Sequence, residues 1–73
     1  MELNQIKKYH GERVCVDQKN GRKVEGALVF YNWEQQVIHL SSFVIYNKEG
    51  TEILSKGRMI IINQREWSTL RVK

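Results

Sequence analysis

The sequence predicts a mainly β protein, a small antiparallel barrel of five strongly bent strands preceded by one short helix. Three observations indicate this fold. Apolar and polar residues alternate with period two along much of the chain, which is typical of half-buried strands. The dipeptide Asn20-Gly21 is suited to the two positive-φ positions of a tight hairpin turn. Gly26 interrupts a strand pattern, and a strand that bends at glycine lets a small sheet curl into a barrel.

The first element is predicted to be a helix over residues 2–10. Leu3 and Ile6 can share one face with His10, at spacings of three and four. Gly11 is well placed to end the helix. A helix this short does not persist alone in water, so we expect it to pack across one open end of the barrel.

The strands follow in a simple meander. In the second strand, Val24, Gly26, Leu28 and Phe30 fall on one face. The third strand is apolar enough to be buried on both sides in places, and the fourth has a candidate break or bulge at Lys56-Gly57. The five strands are expected at 12–17, 22–31, 36–46, 51–62 and 67–72.

Length and cysteine content limit how the fold can be stabilised. The 73 residues suffice for one domain, with the helix at 1–11 and the barrel at 12–73, and a domain of this size is marginally stable. One cysteine, Cys15, forms no internal disulfide and is expected to be a buried or interfacial residue in a reducing cytosol. Oligomerisation remains as the route to extra stability.

Several classes of function find no support in the sequence. His10 and His39 stand apart from any zinc spacing or catalytic constellation, so we expect no enzyme activity, metal, cofactor or small-molecule substrate. Residues 1–10 lack the apolar core of a signal peptide, and no apolar run approaches the roughly 20 residues that span a bilayer. A cytoplasmic protein without a membrane partner is expected. The net charge of +4 is compatible with nucleic acid and is also ordinary for solubility.

The most apolar stretch, residues 59–62, points to self-association. The chain contains no proline, which is one of the usual means of protecting an exposed strand edge. An open edge here would aggregate or pair with another subunit, and such head-to-tail contacts close into rings when the rotation allows. The candidate interface residues are Met59, Ile60, Ile61, Ile62, Trp67 and Leu70.

Two segments carry a resemblance to a known family. The first comprises Val14-Cys15-Val16, the run NGRKVEGALV at 20–29, Tyr31-Asn32 and Val37-Ile38-His39-Leu40; the second comprises Gly57-Arg58-Met59-Ile60-Ile61-Ile62 and, after a short loop, Trp67-Ser68-Thr69-Leu70. With one helix before five bent strands, the chain resembles the Sm/LSm family, and in size it is similar to archaeal homo-oligomeric members. The resemblance implies a ring of six or seven subunits that binds single-stranded, usually U-rich, RNA and acts in RNA processing or metabolism.

The residues that would contact a base depart from the family pattern. An ungapped alignment with the family's Asp-x-aromatic-Met-Asn loop places Glu34 in the stacking position, where a carboxylate cannot stack. A shift of one residue would place Trp33 there instead, and Trp33 is equally compatible with a role at a subunit interface. In the family's second loop, Ile-Arg-Gly-Asp/Asn, Asn63 replaces the arginine. The candidate RNA-binding residues are Asn32, Trp33, Gln35, Gln36, Asn63, Gln64 and Arg65.

The altered pocket leaves a second hypothesis open. A ring or small barrel that has lost the uridine pocket would serve as a scaffold or protein-interaction module. Glu34 and Asn63 are the residues that favour this alternative.

Overall fold

The computed structural model describes residues 3–32 and 34–73, with side chains from Ile6 onwards. Two 3-10 helices, η1 and η2, accompany five strands. The elements are η1 Leu3–Tyr9, β1 Arg13–Gln18, β2 Lys23–Asn32, β3 Val37–Tyr46, β4 Ile53–Asn63, η2 Gln64–Glu66 and β5 Trp67–Val72.

The predicted N-terminal helix is a 3-10 helix rather than an α-helix. Within it, Ile6 is fully buried in the core, and the chain packs η1 against β2. His10 is exposed, because η1 ends at Tyr9, so its expected place on the face of Ile6 was wrong. The chain turns at Gly11, which has a φ of 84°. The side chain of Leu3, which was predicted on the same face, and the whole of residue 2 lie outside the described part of the chain.

The five strands form one antiparallel sheet in the order β4-β3-β2-β1-β5. The sheet is strongly bent, as the sequence predicted, but the barrel that it makes is open. β4 and β5 are the two edges of the sheet. Each edge strand therefore has one side with no strand partner among the described residues. No described helix is long and apolar enough to cross a membrane.

The β1–β2 hairpin turns in a different way from the one predicted. Gly21 has a φ of 95°, whereas Asn20 is not among the residues with positive φ. The Gly21 N–H donates to the Gln18 carbonyl at 3.0 Å, and the Asn20 Oδ1 accepts from the Arg22 N–H at 2.9 Å. A three-residue loop of this kind needs only its last residue in the left-handed region, so the expected pair of positive-φ positions was wrong.

Gly26 marks the bend in the sheet that the sequence predicted. A Cβ added there would lie 2.9 Å from the Leu40 Cβ and 3.0 Å from the Ser41 carbonyl oxygen. The β2–β3 register shifts between Glu25 and Ala27, and on the facing strand Ser42 has a φ of 49°. The close approach of the two backbones therefore requires glycine.

A second register shift, between Leu28 and Phe30, corrects the predicted face of Phe30. One extra residue in a strand moves the following side chains to the opposite face. Tyr31 consequently packs against the core, while Phe30 is 46% exposed. The Phe30 ring lies edge-on to the His39 ring with centroids 4.8 Å apart.

The core is a single apolar cluster inside the bent sheet. β4 continues through Lys56-Gly57 without the expected break, since Gly57 leaves room for the Phe43 ring. The buried side chains are Ile6, Val14, Val16, Val24, Leu28, Ile38, Leu40, Ile62, Trp67 and Leu70. Three of the predicted interface residues, Ile62, Trp67 and Leu70, are therefore packed inside their own subunit.

Candidate nucleic-acid interface

Two short connections meet at one end of the sheet and bring together the predicted RNA-binding residues that the structure describes. The first is the β2–β3 loop, which follows Asn32, and the second is η2. Val37 and Asn63 are partners in the β3–β4 ladder, so the end of the first connection lies beside the start of the second. The Gln64 N–H donates to the Gln36 carbonyl at 2.8 Å. This hydrogen bond joins the two connections into one surface.

η2 is held on its other side by the β1–β2 turn. The Lys19 N–H donates to the Glu66 carbonyl at 2.8 Å, and Gln18 is the ladder partner of Trp67. The three-residue η2 is thus fixed between two hairpin connections. A site built on it is consequently supported by the sheet.

The β2–β3 loop is shaped by its own side chains. The Asn32 Oδ1 accepts from the Gln35 N–H at 3.0 Å, a turn that asparagine forms readily. Gln36 has a φ of 55°, which is uncommon for a residue with a side chain. Glu34, Gln35 and Gln36 are exposed and Asn32 is half-buried. Trp33, the predicted stacking residue, lies outside the described residues.

η2 begins with a capping box. The Asn63 Oδ1 accepts from the Arg65 N–H at 3.0 Å, and the Glu66 Oε1 accepts from the Asn63 N–H at 3.1 Å. This reciprocal arrangement satisfies the free backbone donors at the start of a helix. Asn63 thus stabilises the start of η2, a structural role that was not predicted for it. The pattern Asn-x-x-Glu at 63–66 could have indicated that role.

All the predicted RNA-binding residues within the described part of the chain belong to these two connections. Arg65 is exposed, and Asn63 and Gln64 are half-buried. Amide groups predominate, with carboxylates at Glu34 and Glu66 and a guanidinium at Arg65. Amides can read base edges through paired donors and acceptors, and a guanidinium can contact phosphate.

Exposed apolar side chains lie along the open edges of the sheet. On β4, Met59 is 49% exposed and Ile61 is 59% exposed, while Ile60 is half-buried. On β5, Val72 is 42% exposed. Unpaired strand edges with apolar side chains are surfaces on which another strand can pair.

Two clusters of ion pairs that the sequence did not indicate lie on the outer face of β5, β1 and β2. Asp17 on β1 accepts from the Lys23 Nζ at 2.9 Å, the Thr69 Oγ1 at 2.5 Å and the Arg71 Nη1 at 2.6 Å. The Thr69 hydroxyl, followed by Lys23 and Arg71, lowers the pKa of Asp17 to about 2. These contacts attach the edge strand β5 to the rest of the sheet.

Glu25 on β2 is the centre of a second cluster of ion pairs. Its carboxylate accepts from the Lys73 Nζ at 2.5 Å and from the Arg13 Nε at 3.0 Å. Lys73, and then Arg13, lower the pKa of Glu25 below its usual value. The sequence shows charged residues at alternate strand positions, but it does not show which cation pairs with which carboxylate in the folded sheet.

The fold that these elements define is the Sm fold. The chain superimposes on the Sm protein of Pyrococcus abyssii, solved in complex with a uridine heptamer, with a TM-score of 0.85, 19% identity and coverage of 100% of this chain and 99% of that chain. The SmAP (LSm) protein of Methanococcus vannielii gives a TM-score of 0.75 at 21% identity, covering 96% of this chain and 92% of that chain.

One further similar structure is a chain of a complex bound to CoA. A chain of the NatC complex bound to CoA matches with a TM-score of 0.77 and 16% identity, covering 100% of this chain and 90% of that chain. No protein-family model and no curated protein matches the sequence. At these identities, the likeness establishes the fold.

Proposed function

We propose that this chain is a non-enzymatic Sm-like protein that assembles into a homo-oligomeric ring and binds single-stranded RNA. The observation that carries the proposal is the match over the whole chain to an Sm protein in complex with a uridine heptamer. The ring has six or seven subunits. The protein acts in the cytoplasm in RNA processing or metabolism, with U-rich RNA as the first ligand to test.

The two open edges of the sheet support ring assembly. β4 of one subunit pairs with β5 of the next, so that both edges find partners and the exposed Met59 and Ile61 lie next to the neighbouring subunit. A head-to-tail contact of this type uses two different surfaces and closes when the rotation allows. Ile62, Trp67 and Leu70 then contribute to the interface through their backbones.

The two joined connections support RNA binding. In a ring, the surface made by Asn32, Gln35, Gln36, Asn63, Gln64 and Arg65 recurs once in every subunit. Trp33 supplies the stacking platform, a contact that contributes on the order of 1–3 kcal/mol per base and tolerates any sequence. The net charge of +4 attracts the phosphate backbone.

Native mass spectrometry before and after nuclease treatment, together with titrations of labelled oligo-U and oligo-A at low salt, tests the proposal. We expect a closed assembly that survives nuclease treatment and binds at least one of the two oligonucleotides. A monomer that binds neither would refute the proposal.

A second candidate function is a protein-interaction module without an RNA ligand. The similarity to a chain of the NatC complex favours it, since that chain is one component of a protein assembly. If this second function is correct, the chain should bind a protein partner with an affinity that does not weaken as salt is added. The purified protein should also be free of nucleic acid.

A further inference from the structure

Some hydrogen-bonding side chains of the joined connections are already engaged within the protein, whereas others are free to bind a ligand. The Asn63 Oδ1 accepts from the Arg65 N–H at 3.0 Å and also from the Glu66 N–H in the capping box. Because an amide oxygen has two lone pairs, Asn63 keeps only its NH2 group for a ligand. The Asn32 Oδ1 and the Glu66 Oε1 are likewise engaged within the connections.

Glu34 differs from these groups because both oxygens of its carboxylate are unengaged within the described part of the chain. Its side chain is exposed at the tip of the β2–β3 loop. Among the residues that the structure describes, no hydrogen bond or ion pair reaches its carboxylate. The surface therefore combines donors on Asn63 and Arg65 with a carboxylate whose two oxygens are both free to meet donors from outside.

We propose that this site prefers guanine to uracil in single-stranded RNA and that the Glu34 carboxylate reads the guanine Watson–Crick edge. The inference rests on the proposed RNA-binding function and specifies its ligand. The chemistry of the bases decides the preference. An ionised carboxylate accepts through two oxygens and donates nothing, and guanine alone presents two adjacent donors, N1–H and the N2 amino group.

The other bases fit a carboxylate less well. Uracil presents a single donor, N3–H, between two carbonyl oxygens that repel a negative charge. Adenine and cytosine each place one amino group beside a ring nitrogen that is an acceptor. A bidentate contact to the right base discriminates by about 5- to 150-fold against the wrong one.

The negative charge of Glu34 also repels phosphate, and the neighbouring connection offsets this effect. Arg65 is exposed on η2 and can hold the phosphate backbone while Glu34 meets the base. Charge-assisted hydrogen bonds to a carboxylate or phosphate are about twice as strong as neutral ones. The two charged groups thus have separate tasks in the same site.

Fluorescence titrations with labelled heptanucleotides test the inference. The probes are all-uridine RNA and the same RNA with guanosine, inosine or adenosine at the central position. Inosine keeps N1–H and lacks the N2 amino group, so it isolates the second donor. The variant Glu34→Gln removes the paired acceptors without shortening the side chain. Glu49→Gln, an exposed residue of the β3–β4 turn at the other end of β3, makes the same charge change elsewhere.

We expect the wild type to bind the guanosine probe at least about fivefold more tightly than all-uridine RNA, with inosine intermediate. Glu34→Gln should lose this preference and still bind all-uridine RNA, whereas Glu49→Gln should keep it. Equal or tighter binding of all-uridine RNA by the wild type, with no change of the ratio in Glu34→Gln, overturns the guanine preference and leaves RNA binding intact. Failure of the wild type and both variants to bind any probe overturns the proposed function itself.

Discussion

Asp17 connects three strands through one carboxylate. It lies on β1 and accepts from Lys23 on β2 and from Thr69 and Arg71 on β5. The Thr69 hydroxyl, Lys23 and Arg71 all favour the ionised form, which lowers its pKa to about 2 from an ordinary value of 3.8. The ionised carboxylate of Asp17 therefore contributes to the stability of the folded protein.

The stability of the protein should fall in acid in a way that depends on Asp17. Because its folded pKa is depressed, its contribution is present above the unfolded value and is lost as the pH falls from about 5 towards 2. We expect a loss on the order of 1 kcal/mol, since solvent screens the partly exposed pairs. Urea unfolding between pH 7 and pH 2 measures it.

Asp17→Asn should be less stable than the wild type at pH 7 and should flatten the pH dependence in this range. Glu12→Gln is the matched control, because Glu12 is exposed and has no hydrogen bond through its side chain among the described residues. An unchanged acid slope in Asp17→Asn would show that other carboxylates determine the acid sensitivity.

Neither Gly26 nor Gly57 has room for a Cβ atom, but the neighbours that fill the space differ. A Cβ at Gly26 meets the Leu40 Cβ and the Ser41 backbone oxygen, whereas a Cβ at Gly57 lies 2.8 Å from the Cε1 atom of the Phe43 ring. A ring can rotate aside more easily than a paired strand. Gly26→Ala should lower stability by about 1–3 kcal/mol, the usual cost of overpacking, and by more than Gly57→Ala. Thermal unfolding at equal protein concentration compares them, and an equal or larger loss in Gly57→Ala would contradict this ranking.

At the scale of elements, alternation of polar and apolar residues located every strand to within about two residues. The side-chain period of two also placed Val24 and Leu28, which are both buried, on one face of β2. It failed at Phe30, because the bulge that reverses the face of the chain depends on how β2 pairs with β3. Local sequence cannot specify such a register shift.

The edge strands give a prediction about assembly. Ile61 is 59% exposed on the open edge strand β4, and lysine on an edge strand disfavours pairing with another strand. Ile61→Lys should shift the proposed ring to monomers in native mass spectrometry while the secondary structure measured by circular dichroism stays the same.

Phe30→Lys provides the control for this substitution, since Phe30 is 46% exposed but lies on the interior strand β2. We expect this variant to retain the wild-type assembly. Dissociation of both variants to the same extent would indicate that any added charge disrupts the protein, and would argue against β4 as the assembly edge.

At the scale of the whole molecule, the candidate site joins connections that are far apart in the sequence. The resemblance to Sm proteins selected the β2–β3 loop and residues 63–65, and the structure brings them together through the bond from the Gln64 N–H to the Gln36 carbonyl. The family loop pattern pointed to Asn63 only as a base contact, whereas the structure shows that it also caps η2. That contact depends on the local backbone, and it changes which atoms of the site can meet a ligand.

The salt dependence of RNA binding should depend on Arg65 more than on a cation elsewhere. Each phosphate contact made by a protein releases counterions from single-stranded nucleic acid, which contributes about 0.7 to the slope of log affinity against log salt. Arg65→Ala should therefore lower the magnitude of that slope by about 0.7 for each subunit that contacts the RNA. Lys48→Ala, on the exposed β3–β4 turn at the other end of β3, should leave the slope unchanged. The measurement is a titration of labelled all-uridine RNA at several salt concentrations. Equal slopes for the wild type and Arg65→Ala would place the phosphate contacts on another surface, because a residue that touches no phosphate cannot change the number of counterions released.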